Sequence, residues 1–513
     1  MSEHLNILSM LPQKMTTTKA GHVVTPEAIA KEMVQAVIAK IPEDLWTPKL
    51  TVLNIYSKDG VFLKLLVDEI FERTRHFYVK NGLTEEEIDN ACMEHIIKNQ
   101  IYAICADRLT QMLSIRTAFG FPAKDTNIIL IEDYEAKMKA NSKLLGEVIK
   151  KNFEALYNRE DIKKLGENNM KAFDIVIGNP PYNNDMYLEF VTLGHKLIKE
   201  NGVECMITPA KWQAKTDAKV GKDGIDKNIK FREEIVPYMS DITFYRDTHE
   251  IFDIDDNAGM CYYILGTKVL TERSVKSICS KNISLESDAE MHDELNVTLL
   301  PRKILTIIGK VGTLGEGFKQ SLYVKNTDHG EETIDSTLGF KRQTFVHEQD
   351  RGEALKKLGY VEVMQGEKVC GYKKIQDLYT TEKLDKWKCI CSIMIGGAVM
   401  FGDGTTVDST KVIGSPKIHA IGPNQVPKGS FPVLRYFDTQ AEALSFISYF
   451  ETKLMSFLFY LGVCGATITK EFFRFIPDPG KFDHIFTDAE LYKKYNLTDE
   501  EIEIIESVIK ERK

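Results

Sequence analysis

The sequence predicts an α/β protein with a doubly wound, mostly parallel sheet, followed by a separate mixed α/β domain. Two patterns predict this fold class: short apolar runs alternate with helical patterns before about residue 270, and strand and turn signals dominate after it. A chain of 513 residues is also too long for one ordinary core. We therefore expect domains at 1–270 and 271–485, with a helical tail at 486–513.

The first predicted domain is defined by β-like runs separated by helical stretches. The strands are predicted at 50–55, 101–105, 127–131, 173–177 and 203–207. The helices are predicted at 26–41, 61–80, 84–98, 107–118, 134–156 and 186–200. Two further runs, 241–245 and 260–266, have no helical pattern between them. We expect them to form an antiparallel pair that closes the sheet edge.

The second predicted domain combines turn-rich segments at 309–317 and 395–406 with short helices near 348–358 and 439–461. The glycines of 309–317 superficially suggest a phosphate loop, but the Lys-Ser/Thr pair is missing, so we interpret this segment as a flexible loop. Cys389 and Cys391 lack a nearby partner pair or histidine, which favours core positions over zinc binding. The chain closes on a helix with Thr498 at its N-cap.

Composition and charge exclude several classes of protein. The net charge of −9 argues against coating of nucleic acid by bulk attraction, although 301–480 holds 23 basic and 20 acidic residues. The C-terminal half is therefore the better place for phosphate contacts. No apolar run reaches about 18 residues, and the N-terminus lacks signal-peptide features. With nine scattered cysteines, we expect a cytoplasmic protein with reduced thiols and no membrane contact.

The strongest chemical feature is DIVIGNPPY at 174–182, an apolar strand followed at its carboxyl end by Asn179, Pro180, Pro181 and Tyr182. Ligands of open α/β sheets bind at this end of the strands. The Asn179 oxygen and the Pro180 carbonyl can each accept one N–H of an aromatic amine, and the prolines fix the backbone. Tyr182 can stack on an extruded base. The alternative is an ordinary Asn-Pro turn.

With this motif, the chain resembles the adenine-specific DNA methyltransferases of bacterial restriction–modification systems, with cofactor motifs first and the target-recognition domain last. The resemblance covers roughly residues 20–270. It implies a Rossmann-like methyltransferase fold, S-adenosylmethionine as cofactor, duplex DNA as partner and base flipping. HEIF at 249–252 resembles a later motif whose aromatic residue, here Phe252, stacks on the other face of the base. A core position is the alternative for Phe252.

The resemblance also implies a set of cofactor-binding residues. HVVTPEAIA at 22–30 places Thr25 and Pro26 near the methionine moiety, and IYAICADRL at 101–109 assigns Asp107 to the ribose hydroxyls. NIILIEDYEA at 127–136 assigns Asp133 to the adenine amino group and Tyr134 to the cover over its ring. Thr25 and Asp107 can instead be helix N-caps, and Asp133 a solvent-facing turn acid.

The loop after the first strand departs from the family pattern Asp-Pro-x-x-Gly-x-Gly. The corresponding stretch is NIYSKDG at 54–60, in which only Gly60 keeps a glycine of the pattern. Asn54 replaces the acid with an amide, and Ser57 and Lys58 lie where the backbone meets the methionine end. Lys58 brings a cation towards a sulfonium or pairs the cofactor carboxylate.

TITKEFFRFIP at 467–477 interleaves Lys470 and Arg474 with three phenylalanines, a pattern that suits nucleic-acid contact. A strand with aromatic residues inward and cations outward would give the same pattern. We expect a site-specific adenine methyltransferase with no fused upstream nuclease, since the first motif begins near residue 22. A cognate restriction endonuclease on another chain remains open. Cytosine N4 or RNA methylation, or a non-catalytic DNA-binding subunit, are the alternatives.

Overall fold

The computed structural model describes residues 24–140, 142–166, 169–213, 227–245, 259–271, 273–280, 283–289, 302–312, 324–326, 332–334, 352–378, 381–393, 399–400, 406–407, 416–463, 468 and 470–509. Phe252, with the rest of HEIF, lies outside them. The predicted fold class is confirmed: a nine-stranded, mostly parallel sheet is followed by smaller sheets and helices. No helix in the described segments is long and apolar enough to span a bilayer.

The large sheet has the strand order β3-β2-β1-β4-β5-β7-β6-β8-β9. Its strands are β1 Val52–Asn54, β2 Ile101–Cys105, β3 Asn127–Leu130, β4 Phe173–Gly178, β5 Ile198–Pro209, β6 Met239–Tyr245, β7 Met260–Leu265, β8 Arg273–Ser280 and β9 Ile283–Ala289. The first five strands are parallel, and β7 runs antiparallel between β5 and β6. The predicted antiparallel pairing of 241–245 with 260–266 is confirmed, but this pair does not close the sheet edge, because β8 and β9 lie beyond it.

Two strands extend this sheet beyond the predicted domain boundary. β8 pairs parallel with β6, and β9 pairs antiparallel with β8. The sheet therefore ends at Ala289 rather than at residue 270. The sequence change near 270 marks the loss of alternating helices, whereas strand pairing continues for another 19 residues.

Helices cover both faces of the sheet. They are α1 Glu27–Ile38, α2 Val61–Thr74, α3 Glu85–His95, α4 Arg108–Phe119, α5 Tyr134–Ala140, α6 Ser142–Asn152, α7 Glu154–Tyr157, α8 Glu160–Lys163, α9 Tyr187–Leu197 and α10 Lys227–Glu234. The segment 134–156, predicted as one helix, contains three. Residues of α1 to α4 form the core on one face, and residues of α5 to α10 form the core on the other. The strands between these layers are almost entirely buried, as expected of a parallel sheet.

Local chemistry explains where several helices begin. Thr84 caps α3 in a reciprocal bond with Glu87, and Asp107 caps α4 by accepting the backbone N–H of Thr110 at 2.9 Å. Gly60 begins α2 with a positive φ of 81°. A Cβ there would lie 2.8 Å from the Ser114 backbone in α4, so this glycine allows α2 and α4 to pack closely.

The C-terminal part contains two three-stranded sheets. Its elements are α11 Arg302–Val311, β10 Val324–Asn326, β11 Glu332–Ile334, α12 Gly352–Lys357, β12 Tyr360–Gln365, β13 Lys368–Lys374, β14 Trp387–Cys391, β15 Val399–Met400, β16 Thr406–Val407, β17 Ile418–Ile421, β18 Gln425–Pro427, β19 Val433–Phe437, α13 Gln440–Glu451, α14 Lys453–Gly462, α15 Asp488–Lys494 and α16 Asp499–Val508. The sheets have the orders β13-β12-β18 and β17-β14-β19.

Several smaller predictions in this part can be compared with the structure. Cys389 and Cys391 are fully buried on β14, which confirms their core assignment. Thr498 caps the terminal helix α16 as predicted. Gly309 lies within α11, so the first residues of the predicted 309–317 loop are helical. The segment 486–509 packs into the same apolar core as α13 and α14, and is not a detached tail.

Candidate functional site

The candidate site lies where the strand order of the sheet reverses. β1 is hydrogen-bonded to β2 on one side and to β4 on the other, with Asn54 in register with Ile177. The connections from β1 and β4 therefore leave the same edge of the sheet in opposite directions and open a crevice at its carboxyl end. The loop 54–60 and the segment 179–182 both begin at this crevice.

Asn179 is buried at the end of β4 with both ends of its amide engaged. Its exposed fraction is only 2%. The Nδ2 group donates to the hydroxyl of Thr25 at 2.9 Å, and the Oδ1 atom accepts from the Tyr182 hydroxyl at 2.7 Å. Pro180 and Pro181 are buried as well, so the Asn-Pro-Pro backbone is enclosed by protein. This rigid setting is not that of a solvent-facing Asn-Pro turn.

Tyr182 occupies a position between the two faces of the sheet. Its ring is half-buried, packs against both apolar cores, and meets the Tyr187 ring edge-on at 6.4 Å. The Nζ atom of Lys58 lies 5.9 Å from the Tyr182 ring centroid. The structure thus brings together two segments that the sequence linked only through the resemblance: the altered loop and the NPPY motif.

Lys58 is half-buried between two tyrosine rings. Its Nζ atom lies 5.6 Å from the ring centroid of Tyr56, close to the 5.9 Å distance to Tyr182. Burial lowers the pKa of Lys58 to about 7, although Asp59 and Glu135 act in the opposite direction. Burial also raises the pKa of the neighbouring Asp59 carboxyl. Lys58 is therefore a cation that loses its proton close to neutral pH.

Tyr56, to which the sequence assigned no role, organises the space beside Lys58. Its ring stacks on Tyr134, with centroids 5.7 Å apart and planes inclined by 10°, and its hydroxyl donates to Glu135 at 2.7 Å. Phe190 meets both tyrosine rings edge-on. The position of Tyr56 directly after β1 was the available sequence signal, because side chains at strand carboxyl ends line the crevice.

The structure corrects the prediction for Tyr134. The residue is only 1% exposed, and its hydroxyl donates to the Ile55 carbonyl at 2.8 Å. Its ring is a core element enclosed by Tyr56 and Phe190, and it offers no open face to cover a cofactor ring.

Other predicted cofactor residues divide into buried and exposed groups. Asn54 and Ser57 are buried; the Asn54 Oδ1 atom accepts the Tyr56 N–H at 3.3 Å, and the hydroxyls of Ser57 and Ser114 lie 2.8 Å apart. Asp107 and Asp133 are exposed at the ends of β2 and β3. Asp107 caps α4, as its alternative reading proposed, and Asp133 has a positive φ of 54° directly before α5.

The structure describes the backbone around both DNA contacts predicted at 467–477, and the side chain of Arg474. Lys470 begins a short 3-10 helix, Lys470–Phe473, so the segment is not a strand with alternating faces. Arg474 is fully buried and donates from Nη2 to the Gly462 carbonyl at 2.8 Å. Its guanidinium binds the end of α14 and is not exposed at the surface. The alternation of cations and aromatics was misleading because a buried arginine can satisfy backbone carbonyls.

A groove of about 810 Å³ lies elsewhere in the C-terminal part, between β19, the start of α13 and the segment 480–485. Four basic residues line it: Lys383, Lys386, Arg435 and Lys481. Three acidic residues, Asp438, Glu442 and Asp483, also line it, and Lys386 pairs with Asp438. In the described part of the chain, no cluster of three metal-ligating side chains occurs.

One comparison with known proteins bears directly on the crevice. Residues 99–185 match the family model described as Eco57I restriction-modification methylase. The matched segment runs from β2 to just beyond Tyr182, so it includes Asp107, Asp133 and the complete NPPY motif. No match is found among curated proteins.

Solved structures resemble the chain at low sequence identity. The type IIL restriction-modification enzyme MmeI in complex with DNA has 11% identity and a TM-score of 0.46, over 89% of this chain and 67% of that chain. A type I methyltransferase subunit from Streptococcus thermophilus has 16% identity and a TM-score of 0.30, over 56% and 53%. The type I restriction enzyme EcoKI M protein has 11% identity and a TM-score of 0.33, over 60% and 59%. The chain thus spans about half to two thirds of these structures.

Proposed function

We propose that this chain is a DNA methyltransferase that acts on the exocyclic amino group of adenine in duplex DNA, after the base has been flipped out. The observation that carries the proposal is the buried Asn179 amide at the crevice, held between Thr25 and Tyr182. The family match over 99–185 supports restriction–modification methylation. Adenine, rather than another planar amine, follows from the resemblance alone.

Asn179 and Pro180 would supply the two acceptors for the target amine. The lone pair of an aromatic amine is delocalised into the ring, so acceptors on both N–H groups favour the pyramidal nitrogen that attacks a methyl group. Acceptors fixed before the reaction need no reorganisation, and burial strengthens their effect. The Tyr182 hydroxyl already donates to the Oδ1 atom of Asn179 and so positions it. Its ring would stack on the flipped base once the Lys58 side chain moves away from the ring.

The charges around the crevice fit S-adenosylmethionine, which would supply the methyl group as a sulfonium. Asp59 and Glu135 interact with Lys58 in the loop, and the carboxylates of Asp107 and Asp133 lie exposed at the neighbouring strand ends. An acidic crevice attracts a ligand with a net positive charge. The exposed carboxylates of Asp107 and Asp133 can accept from ribose hydroxyls and an adenine amino group.

The test is methyl transfer from labelled S-adenosylmethionine to duplex DNA, followed by mass spectrometry of the nucleosides and long-read modification sequencing. We expect N6-methyladenine in a fixed sequence context. The Asn179→Ala and Tyr182→Ala variants should lose at least about 100-fold in rate and retain cofactor binding. Detection of N4-methylcytosine would replace adenine by cytosine as the target base. Methylation of RNA only would replace DNA by RNA as the substrate. Full activity of both variants would refute the site.

A non-catalytic DNA-binding subunit is the second candidate, and one observation favours it. Lys58 replaces a loop glycine of the family pattern, and its side chain reaches the Tyr182 ring. Calorimetry with S-adenosylmethionine separates the two candidates. Binding below millimolar concentration supports the enzyme, whereas absence of binding together with sequence-specific DNA affinity supports the subunit.

A further inference from the structure

Thr25 contacts Asn179 across 154 residues of sequence. The threonine lies directly before Pro26 and α1, and only 5% of it is exposed. Its position is fixed because α1 buries Ile29, Met33 and Val37 against the sheet. The Thr25 hydroxyl is therefore a fixed partner for the amide. The resemblance implies that Thr25 lies near the methionine moiety; in the structure its hydroxyl accepts from the Asn179 amide.

The two ends of an asparagine amide have nearly the same shape but opposite hydrogen-bonding character. Only Oδ1 can accept a proton from an amine, so the function proposed above depends on which end faces the target. With Nδ2 donating to the Thr25 hydroxyl at 2.9 Å, Oδ1 points to the Tyr182 side. An oxygen with two lone pairs can accept from Tyr182 and still accept an N–H of the target.

We propose that Thr25 is a positioning residue that sets the orientation of the Asn179 amide, so that Oδ1 faces the amine to be methylated. The inference rests on the proposed function, since the orientation matters only if Asn179 accepts from a target amine. Without the Thr25 oxygen, the buried Nδ2 group would lose the acceptor that lies 2.9 Å away, and the amide would be held less firmly in this orientation.

The experiment compares Thr25→Val, which keeps the shape and removes the hydroxyl, with Thr25→Ser, which keeps the hydroxyl. Single-turnover rates at saturating cofactor and DNA should fall about 10- to 100-fold in T25V and stay within about threefold in T25S. Dissociation constants for S-adenosylmethionine should change less than about threefold in both. Glu27→Ala, which removes an exposed ion pair with Lys31 at the start of α1, is the control and should behave as wild type.

The affinity and rate readouts separate the proposal from the placement that the resemblance implies. If T25V raises the cofactor dissociation constant and leaves the saturated rate unchanged, Thr25 is a cofactor contact and the proposal is overturned. An unchanged rate and affinity in T25V would overturn it as well. If T25S loses as much rate as T25V, the hydroxyl is not the operative group and the proposal fails.

A second readout does not require catalysis, so it separates the failure of this inference from that of the proposed function. In ¹⁵N-asparagine-labelled protein, the Asn179 side-chain N–H signals are assigned by their loss in Asn179→Asp. We expect their hydrogen exchange to be at least about tenfold faster in T25V and unchanged in T25S. Equal exchange in T25V and wild type would overturn the positioning role even in an active enzyme. Faster exchange in a chain that methylates nothing would refute the proposed function alone.

Discussion

At the residue scale, Lys58 makes cofactor binding sensitive to pH. Its pKa of about 7 means that the side chain is charged below neutral pH and mostly neutral above it. A charged Lys58 repels a sulfonium, so we expect the affinity for S-adenosylmethionine to rise about fivefold to tenfold between pH 6 and 8. Titration calorimetry across this range measures the effect.

Two variants test the cause of that pH dependence. Lys58→Met should bind tightly and without the pH step, whereas Lys58→Arg, which stays charged, should bind weakly throughout. Weaker binding by K58M, together with a wild-type affinity that falls as pH rises, would show instead that Lys58 pairs the cofactor carboxylate.

Glu204, in the middle of β5, is the second residue with a measurable consequence. It is fully buried, neither carboxyl oxygen has a hydrogen-bond partner among the described residues, and burial raises its pKa well above the usual value. The folded protein therefore keeps a proton that the unfolded chain releases above about pH 4.5. The contribution of Glu204 to the free energy of unfolding therefore falls as the pH rises from about 4.5 towards the pKa of Glu204 in the folded state.

The Glu204→Met variant should remove this pH dependence and stabilise the fold by about 1–3 kcal/mol at pH 8, since a buried polar group without a partner is lost. Denaturant unfolding at pH 5 and pH 8 measures both effects. Equal destabilisation of E204M at the two pH values would contradict the argument and would indicate a packing role for the carboxyl group.

At the element scale, the contact of α2 with α4 depends on Gly60. An added Cβ would meet the Ser114 backbone at 2.8 Å, and the φ of 81° is unfavourable for other residues. Gly60→Ala should cost about 2–4 kcal/mol in unfolding free energy, from backbone strain and overpacking together. Gly82 has a φ of 91° with no atom within 4 Å, so Gly82→Ala is the matched control and should show the strain alone, about 1 kcal/mol. Equal losses would mean that close packing contributes nothing.

Elements and their order were largely predictable from sequence, whereas contacts between distant segments were not. Apolar periodicity located β1 to β5 because a strand buried on both faces must be apolar along its length. The pattern 467–477 misled because periodicity does not reveal that Arg474 is buried against a backbone carbonyl. The bond from Asn179 to Thr25 joins two sheet-edge segments, and no local rule connects them.

At the scale of the whole molecule, the proposed function needs a DNA surface, and Arg474 does not provide it. The groove beside β19 is a better location, because four basic side chains line it and Lys481 is exposed at its rim. Lys386 pairs with Asp438 and Arg435 pairs with Asp478, so the other two basic residues of the groove, Lys383 and Lys481, are the side chains to test. Lys383 lies in the stretch 301–480, whose charge balance favoured phosphate contact, and Lys481 follows that stretch directly.

We expect the Lys383→Glu/Lys481→Glu double variant to weaken duplex binding at least about tenfold at low salt, with a reduced dependence of affinity on salt concentration. Each lost phosphate contact should lower the slope of log K against log salt by about 0.9. Lys80 is an exposed lysine between α2 and α3, and the Lys80→Glu variant is the control for a change in overall charge. If the change in the salt slope, divided by the number of charges changed, is the same in the control and in the double variant, the effect is long-range and DNA contacts another face. A loss confined to the double variant would place the duplex against the groove.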